Sequence, residues 1–165
     1  VAAGLPLSLA VSGLERFKAV KGRMCSLPGI AGTRVIDDSY NANPGSVKAA
    51  IQALHELKGE RVLLLGDMGE LGADAEQMHR EVGQFAAEQN IDKLLAVGPL
   101  SKAAVDGYQA AQGAELQEIS GIHFIDQQSL MAVLLPQLHS DMVILVKGSR
   151  SAGMDKIVTQ LTQGV

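Results

Sequence analysis

The residue types best able to do chemistry are concentrated in residues 37–46, which read DDSYNANPGS. This stretch follows a short apolar run at residues 33–36. It contains Asn43 and Pro44, a pair typical of a helix start with Asn as N-cap and Pro at the first helical position. Two carboxylates, a tyrosine and two asparagines therefore lie at a predicted strand-to-helix turn. In an open α/β sheet such turns border the crevice where ligands bind, so we expect a ligand site here.

A second polar turn, residues 147–153, reads KGSRSAG and follows the apolar run at residues 142–146. Small residues, two cations and hydroxyls at a predicted helix N-terminus could hold a carboxylate or a phosphate, because free N–H groups and the helix dipole favour anions there. N-capping by Ser149 or Ser151, with the cations exposed, explains the same residues equally well. The pattern leaves both interpretations open.

A glycine-rich segment, residues 66–72, follows another apolar run and reads GDMGELG. Its context is that of a dinucleotide fingerprint, but the spacing is G-x-x-G-x-x-G and no acidic residue follows at the distance that would hold a ribose. A turn that leads into a helix explains the segment at least as well. The sequence also contains no G-x-x-x-x-G-K-[ST] motif, so the chain has no P-loop of its own.

The histidines and the cysteine give no metal-site pattern. His55, His79, His123 and His139 are scattered, with no pair at i, i+4, which predicts surface or hydrogen-bonded residues and no metal site built by this chain alone. The single cysteine, Cys25, excludes an internal disulfide and a thiolate cluster. One unpaired cysteine also suits a reducing compartment.

The elements that position these turns alternate between strand and helix. Short apolar runs predict strands at residues 33–36, 61–65, 93–97, 122–125 and 142–146. Helical spacing predicts helices at residues 44–57, 74–89 and 101–112, from about 127 to a break at Pro136, and at about 151–161. Residues 24–26 would pair with 33–36 as a hairpin. The predicted fold class is α/β: a Rossmann-like, open, mostly parallel sheet covered by helices on both faces, with an antiparallel edge strand.

Composition limits the class of partner. With 165 residues, of which 47% are apolar and 19% charged, the chain can form one domain with a core of its own. No apolar run has the length that a bilayer requires, so we expect no membrane partner. A net charge of -4 and an aromatic content of 3% argue against binding to nucleic acid. We expect a monomer.

Three motifs occur in a fixed order, DDSYNANPGSVKAA, LLLGDMGELG and ILVKGSRSAGMDKIV. Together they closely resemble the C-terminal domain of the Mur ligases, from about residue 17 to the end of the chain. The resemblance implies that residues 1–16 are the tail of a preceding central ATPase domain and that residues 17–165 form the C-terminal domain. It also implies a cytoplasmic ligase of peptidoglycan precursor synthesis.

Within that family, the motifs resemble most the member that adds D-alanyl-D-alanine to UDP-N-acetylmuramoyl-tripeptide. Family enzymes use ATP to phosphorylate the terminal carboxylate of the nucleotide-linked substrate, and the incoming amine then attacks the acyl phosphate. Their P-loop and magnesium ligands belong to the central domain. The resemblance therefore implies ATP and Mg²⁺ as cofactors, with Mg²⁺ bound mainly outside this chain, and a fragment that is inactive alone.

Five residues match the motif positions at which the family contacts ATP. The resemblance implies that Arg23 reaches the phosphates and that Asp38 holds the ribose by accepting hydrogen bonds from two hydroxyls. Tyr40, Asn41 and Asn43 would border the adenine, although Asn43 is equally well explained as an N-cap.

Three further residues match the region where the family places the incoming amino acid or dipeptide: Lys147, Ser149 and Arg150. The free carboxylate of D-alanyl-D-alanine must be held while its amine is aimed, and a guanidinium can grip a carboxylate through two hydrogen bonds. We therefore expect Arg150 or Lys147, with Ser149, to bind that carboxylate. The alternative is that this turn binds phosphate.

Two alternatives to a ligase follow from the same residues. Asp37, Asp38 and Lys147 also fit a response-regulator receiver, a signalling module. A receiver needs a phosphoacceptor aspartate after the third strand, where this chain has Val97-Gly98-Pro99, and this argues against it. A stand-alone nucleotide-binding module is the other alternative.

Overall fold

The computed structural model describes residues 8–9, 11–12, 20–113 and 120–163. The boundary predicted between residues 16 and 17 lies outside these ranges. Within them, no helix has both the length and the apolar character needed to cross a membrane.

Strands and helices alternate along the described chain. The strands are β1 Cys25–Pro28, β2 Arg34–Asp38, β3 Glu60–Gly66, β4 Lys93–Val97, β5 Gly121–Phe124 and β6 Met142–Lys147. The α-helices are α1 Pro44–His55, α2 Ala75–Glu88, α3 Lys102–Gln112, α4 Gln127–Leu134 and α5 Asp155–Gln163. Every predicted strand and helix is present, and the predicted alternation is confirmed.

All six of these strands form one sheet in the order β1-β2-β6-β3-β4-β5. β1 pairs with β2 in the antiparallel direction, and the other four pairings are parallel. The predicted α/β fold with an antiparallel edge strand is confirmed. The last strand, β6, lies in the middle of the sheet, where its register places Lys147 beside Asp38 of β2 and Leu65 of β3.

Two layers of buried residues cover the two faces of the sheet. One contains the apolar sides of α1, α2 and α3, and the other contains those of α4 and α5. Along β3, Leu63 and Leu65 belong to the first layer, whereas Val62 and Leu64 belong to the second. Because both of its faces are buried, the strand is apolar throughout rather than apolar at every second residue.

The observed start of α1 agrees with the start predicted from the sequence, whereas that of α5 differs from it. The Oδ1 atom of Asn43 accepts from the N–H of Ser46 at 2.9 Å, and Pro44 is the first residue of α1, so the predicted N-cap is confirmed. The last helix was predicted to begin near residue 151, and this is wrong. Residues Arg150–Ala152 form a 3-10 turn, and Gly153, with φ 60°, separates that turn from α5. A left-handed residue ends a helical turn, so α5 starts only at Asp155.

Candidate functional site

A cavity of about 490 Å³ opens at the carboxyl ends of β2 and β6. Small-molecule sites have volumes of roughly 300–1,000 Å³, so the cavity is large enough for a ligand. We call it the β2 cavity. Its polar lining includes Arg23, Asp38, Tyr40, Asn41, Asn43 and Lys147. Its apolar lining includes Met24, Ala49 and Ala53. The structure thus brings together all five residues predicted to bind ATP.

An ion pair between Lys147 and Asp38 forms the floor of this cavity. The Nζ of Lys147 donates to Oδ2 of Asp38 at 2.5 Å and to the carbonyl of Asn41 at 3.0 Å. The Lys147 side chain is only 2% exposed and that of Asp38 is 14% exposed. Oδ1 of Asp38 also accepts from the N–H of Met24 at 3.2 Å. A carboxylate has about four acceptor positions, so Asp38 can still accept from the hydroxyls of a ligand.

Asp37, the neighbouring carboxylate, is 1% exposed and has a different set of partners. Oδ1 accepts from the hydroxyl of Ser39 at 2.6 Å and from its N–H at 3.2 Å. Oδ2 accepts from the N–H of Gly22 at 3.0 Å. Asp37 therefore fixes the turn after β2 and the segment that carries Arg23, while Asp38 faces the cavity.

Ser149 and Arg150 line a second cavity of about 470 Å³, which we call the β6 cavity. Its other lining residues include Tyr40, Asn41, Glu70 and Ser151. The two cavities therefore share Tyr40 and Asn41. Lys147, which was predicted to act with Ser149 and Arg150, lines the β2 cavity instead.

The exposed ring of Tyr40 lies between the two sets of residues. The Cζ atom of Arg23 is 4.6 Å from the centre of the ring, and the Cζ atom of Arg150 is 5.4 Å from it. Both distances fall in the range of cation–π contact. A tyrosine ring with two guanidiniums beside a carboxylate suits a ligand that carries both anionic groups and hydroxyls.

The glycine-rich segment at residues 66–72 is a turn held by two sets of hydrogen bonds, one to the side chain of His79 and one from Asp67 to the start of α3. His79 is fully buried, and its Nε2 accepts from the N–H of Met68 at 2.9 Å while Nδ1 lies 2.6 Å from the carbonyl of Ala75. These partners place the proton on Nδ1. Oδ1 of Asp67 accepts from the N–H groups of Leu100 and Ser101, at 3.1 and 2.8 Å, just before α3.

Sequence reasoning missed the role of Asp67, and it predicted His79 correctly only as a hydrogen-bonded residue. An aspartate carboxylate can accept from the free N–H groups at a helix start, but the sequence does not say which helix Asp67 contacts. The backbone carbonyl of Asp67 also accepts from the N–H of Ser149 at 2.9 Å. The segment therefore supports the β6 cavity through Ser149. Within residues 20–113 and 120–163, the structure has no group of three or more His, Cys, Asp or Glu side chains placed to hold a metal ion.

Comparisons with known proteins give a family. A family model described as "Mur ligase, glutamate ligase domain" matches residues 22–150. The UDP-N-acetylmuramoyl-tripeptide--D-alanyl-D-alanine ligase of Escherichia coli (strain K12) is 41% identical over 162 residues, which cover 97% of this chain and 34% of that protein. The chain spans about a third of the length of the curated relatives that it matches.

Solved structures show the same fold. MurF from Acinetobacter baumannii superposes with a TM-score of 0.82 at 33% identity, over 98% of this chain and 35% of that one. The MurF ligase from Thermotoga maritima, described as a complex with ADP, gives a TM-score of 0.75 at 21% identity, over 95% of this chain and 36% of that one. The family match covers most of the chain and favours a Mur ligase domain over a response-regulator receiver. The resemblance predicted from the three motifs is confirmed, and the chain belongs to the Mur ligase family, in which it forms a glutamate ligase domain.

Proposed function

We propose that this chain is the C-terminal domain of an ATP-dependent ligase that adds D-alanyl-D-alanine to UDP-N-acetylmuramoyl-tripeptide in cytoplasmic peptidoglycan precursor synthesis. The observation that carries the proposal is the pair of adjoining cavities, one lined by the residues predicted for ATP and the other by Ser149 and Arg150. The name and the 41% identity of the Escherichia coli relative support the choice of substrates.

In this proposal the β2 cavity binds the nucleoside part of ATP. Asp38 accepts hydrogen bonds from the ribose hydroxyls, and Lys147 holds Asp38 in place from below. Asn43 uses Oδ1 to cap α1, so its amide N–H₂ is the group that remains to donate to a base. Arg23, on the rim of the cavity, contacts the phosphates.

The β6 cavity binds the dipeptide. Arg150 grips the free carboxylate of D-alanyl-D-alanine through its two-pronged guanidinium, and the hydroxyl of Ser149 adds a hydrogen bond. The N–H groups at the start of α5 take no part, because that helix begins at Asp155, beyond the turn. Lys147 acts indirectly, by positioning Asp38 and the carbonyl of Asn41.

Phosphoryl transfer needs groups that this chain does not supply. Mg²⁺ and the phosphate cradle would be provided mainly by the rest of the ligase, because stabilisation of the transferring phosphoryl group depends on them. The described chain contributes nucleoside binding, a guanidinium for the phosphates and a grip on the dipeptide. We therefore expect the chain alone to fold, yet neither to hydrolyse ATP nor to form the amide bond.

A chimera tests the proposal. This chain would replace the matching third of the Escherichia coli relative, and ligation of D-alanyl-D-alanine to UDP-N-acetylmuramoyl-tripeptide would be followed by ATP consumption and product mass. We expect Arg150→Ala to raise the KM for the dipeptide about tenfold or more, since a charge-assisted bond is lost, with the KM for ATP nearly unchanged. Arg23→Ala should raise the KM for ATP and leave the KM for the dipeptide nearly unchanged.

Arg80→Ala is the matched control for both variants. Arg80 is a half-exposed arginine on α2 that pairs with Glu76, and it lines neither cavity. It should leave both KM values unchanged. A folded chimera that forms no product refutes the proposed function. An Arg150→Ala chimera that loses ATP binding and retains dipeptide use would show that the β6 cavity is the phosphate site.

A further inference from the structure

The geometry around Tyr40 links two regions that the proposed function treats separately. The Cζ atoms of Arg23 and Arg150 lie 4.6 and 5.4 Å from the centre of its ring. Arg23 lines the β2 cavity and Arg150 lines the β6 cavity, whereas Tyr40 lines both. Tyr40 is 44% exposed. A single ring is thus in contact with one cation from each cavity.

Within the described ranges, the contact with the Tyr40 ring is the one recorded side-chain interaction of each guanidinium. Within the described ranges, no ion pair and no side-chain hydrogen bond involves the guanidinium of Arg23 or Arg150. The two distances to the ring centre place the guanidiniums no further apart than roughly 10 Å, about one Debye length at 0.1 M salt. Salt screens part of the repulsion between two like charges at this separation, and an attractive surface offsets what remains. The electron-rich face of an aromatic ring provides such a surface.

The backbone of Tyr40 is held against the segment that carries Arg23. The N–H of Tyr40 donates to the carbonyl of Gly22 at 3.1 Å, and Gly22 is in turn held by the carboxylate of Asp37. A Cβ atom at position 22 would lie 3.0 Å from Cβ of Tyr40, so the glycine allows the two segments to approach closely. Arg23 follows directly in the same segment. The backbones of Tyr40 and Arg23 therefore form one connected unit.

We infer that Tyr40 is a positioning residue shared by both ligand sites, which orients Arg23 for the nucleotide phosphates and Arg150 for the dipeptide carboxylate. This inference rests on the proposed function and changes the role expected of Tyr40. A residue that only borders the adenine affects ATP alone. A shared support for two guanidiniums affects both ligands when the ring is removed, and it affects neither when the ring is kept without its hydroxyl.

The first experiment does not depend on any activity. In NMR spectra of this chain, the side-chain Nε–H signals of Arg23 and Arg150 would be compared among wild type, Tyr40→Phe and Tyr40→Leu. Ring-current shifts should be present in the first two proteins and absent from Tyr40→Leu for both arginines. The signal of Arg80, which pairs with Glu76 on α2, should not move. Movement of only one arginine signal, or of neither, would overturn the inference.

The second experiment uses the chimera. Because a cation–π contact at an exposed site changes an equilibrium about two- to fivefold, Tyr40→Leu should raise the KM for ATP and the KM for D-alanyl-D-alanine by about that factor each. Tyr40→Phe should restore both values. A rise in the KM for ATP alone would show that Tyr40 is an adenine contact, and the inference would be wrong.

The two experiments separate failure of the inference from failure of the proposed function. If the wild-type chimera forms no amide product, the proposed function fails, while the NMR comparison still decides whether the ring holds both guanidiniums. If the chimera is active and Tyr40→Leu leaves both KM values at the wild-type level, the inference fails alone. Urea unfolding of Tyr40→Leu, compared with Tyr40→Phe, confirms that both variants are folded.

Discussion

The sheet has a carboxyl edge, where its parallel strands end, and an amino edge, where they begin. Both edges carry a lysine–carboxylate ion pair, but the surroundings of the two pairs differ. At the carboxyl edge, the side chains of Lys147 and Asp38 are 2% and 14% exposed. At the amino edge, Lys93 pairs with Glu60 at 2.8 Å, and these side chains are 26% and 24% exposed. A buried ion pair fixes geometry, because leaving either charge alone is costly, whereas a partly exposed pair is screened by water and salt. The comparison shows that burial, rather than residue type, separates the pair that shapes a cavity from the pair that covers an edge.

The amino edge also spreads its charges over more partners. Glu60 accepts from His139 at 2.7 Å as well as from Lys93, and Arg61 pairs with Asp92 at 3.0 Å. Each of these groups keeps some contact with solvent. None of them therefore has to hold a single position in the way that Lys147 must.

The largest expected effect comes from removing the buried cation. Lys147→Met leaves the carboxylate of Asp38, which is only 14% exposed, without its charged partner, and we expect it to lower the free energy of unfolding by about 3–5 kcal/mol. The matched change at the other edge, Lys93→Met, should cost at most about 1 kcal/mol. Urea unfolding of the two variants measures both. Equal losses would contradict the comparison.

A smaller effect is expected at Asp67, which supports the start of α3 from the turn after β3. Asp67→Ala leaves the N–H groups of Leu100 and Ser101 without their acceptor, and the loss should be about 1–3 kcal/mol. Hydrogen exchange at these two amides should become faster. The control is Asp92→Ala at the amino edge, where the side chain is 40% exposed. Unchanged exchange at Ser101 in the Asp67→Ala protein would show that the carboxylate does not support the helix.

The smallest effect concerns pH. Burial alone would raise the pKa of the Glu60 carboxyl, but hydrogen bonds and charge from Lys93 and His139 outweigh burial and hold this pKa below its ordinary value of 4.5. Because the pKa is lower in the folded state, the ionised carboxylate stabilises the protein above pH 4.5, and this contribution disappears as the pH falls through the folded value. Its size should be at most about 1 kcal/mol, since the group is partly exposed.

Urea unfolding of wild type and Glu60→Gln between pH 7 and 3 measures this contribution. The difference in stability between the two proteins should be small above pH 4.5 and should shrink as the pH falls from 4.5 to 3. A difference that grows as the pH falls from 4.5 to 3 would mean that the carboxyl is stabilised in its neutral form instead.

The sequence was sufficient to predict the elements and the strand-to-helix turn that lines the β2 cavity. Alternation of apolar runs with helical spacing predicted the strands and helices, and the Asn43-Pro44 pair predicted the start of α1. The order of the strands could not be predicted from the sequence, because β3, β4 and β6 have similar apolar compositions. No local sequence feature indicates that β6 lies between β2 and β3. The start of α5 was wrong because Ser151 resembles an N-cap, while Gly153 ends the preceding turn.

The role of Lys147 could not be found from its neighbours. Its local sequence, KGSRSAG, suggests a cation at an anion-binding turn, and its main partner, Asp38, is 109 residues away along the chain. Likewise, Asp37 and Asp38 are adjacent and chemically identical. Only the structure shows that Asp37 holds the segment around Gly22 while Asp38 faces the cavity.

The central position of β6 has a consequence for how the protein is made. Ribosomes synthesise roughly 5–20 residues per second, so the 109 positions between Asp38 and Lys147 take roughly 5–20 s to produce. During that interval β2 and β3 each have one side whose backbone N–H and C=O groups lack the partner strand β6. Such unpaired strands are where nascent chains associate wrongly. The buried cation beneath the β2 cavity is the last residue of β6. The nucleotide site proposed here is thus completed only when the sheet is complete. A chain interrupted before Met142 would lack both the complete sheet and the nucleotide site.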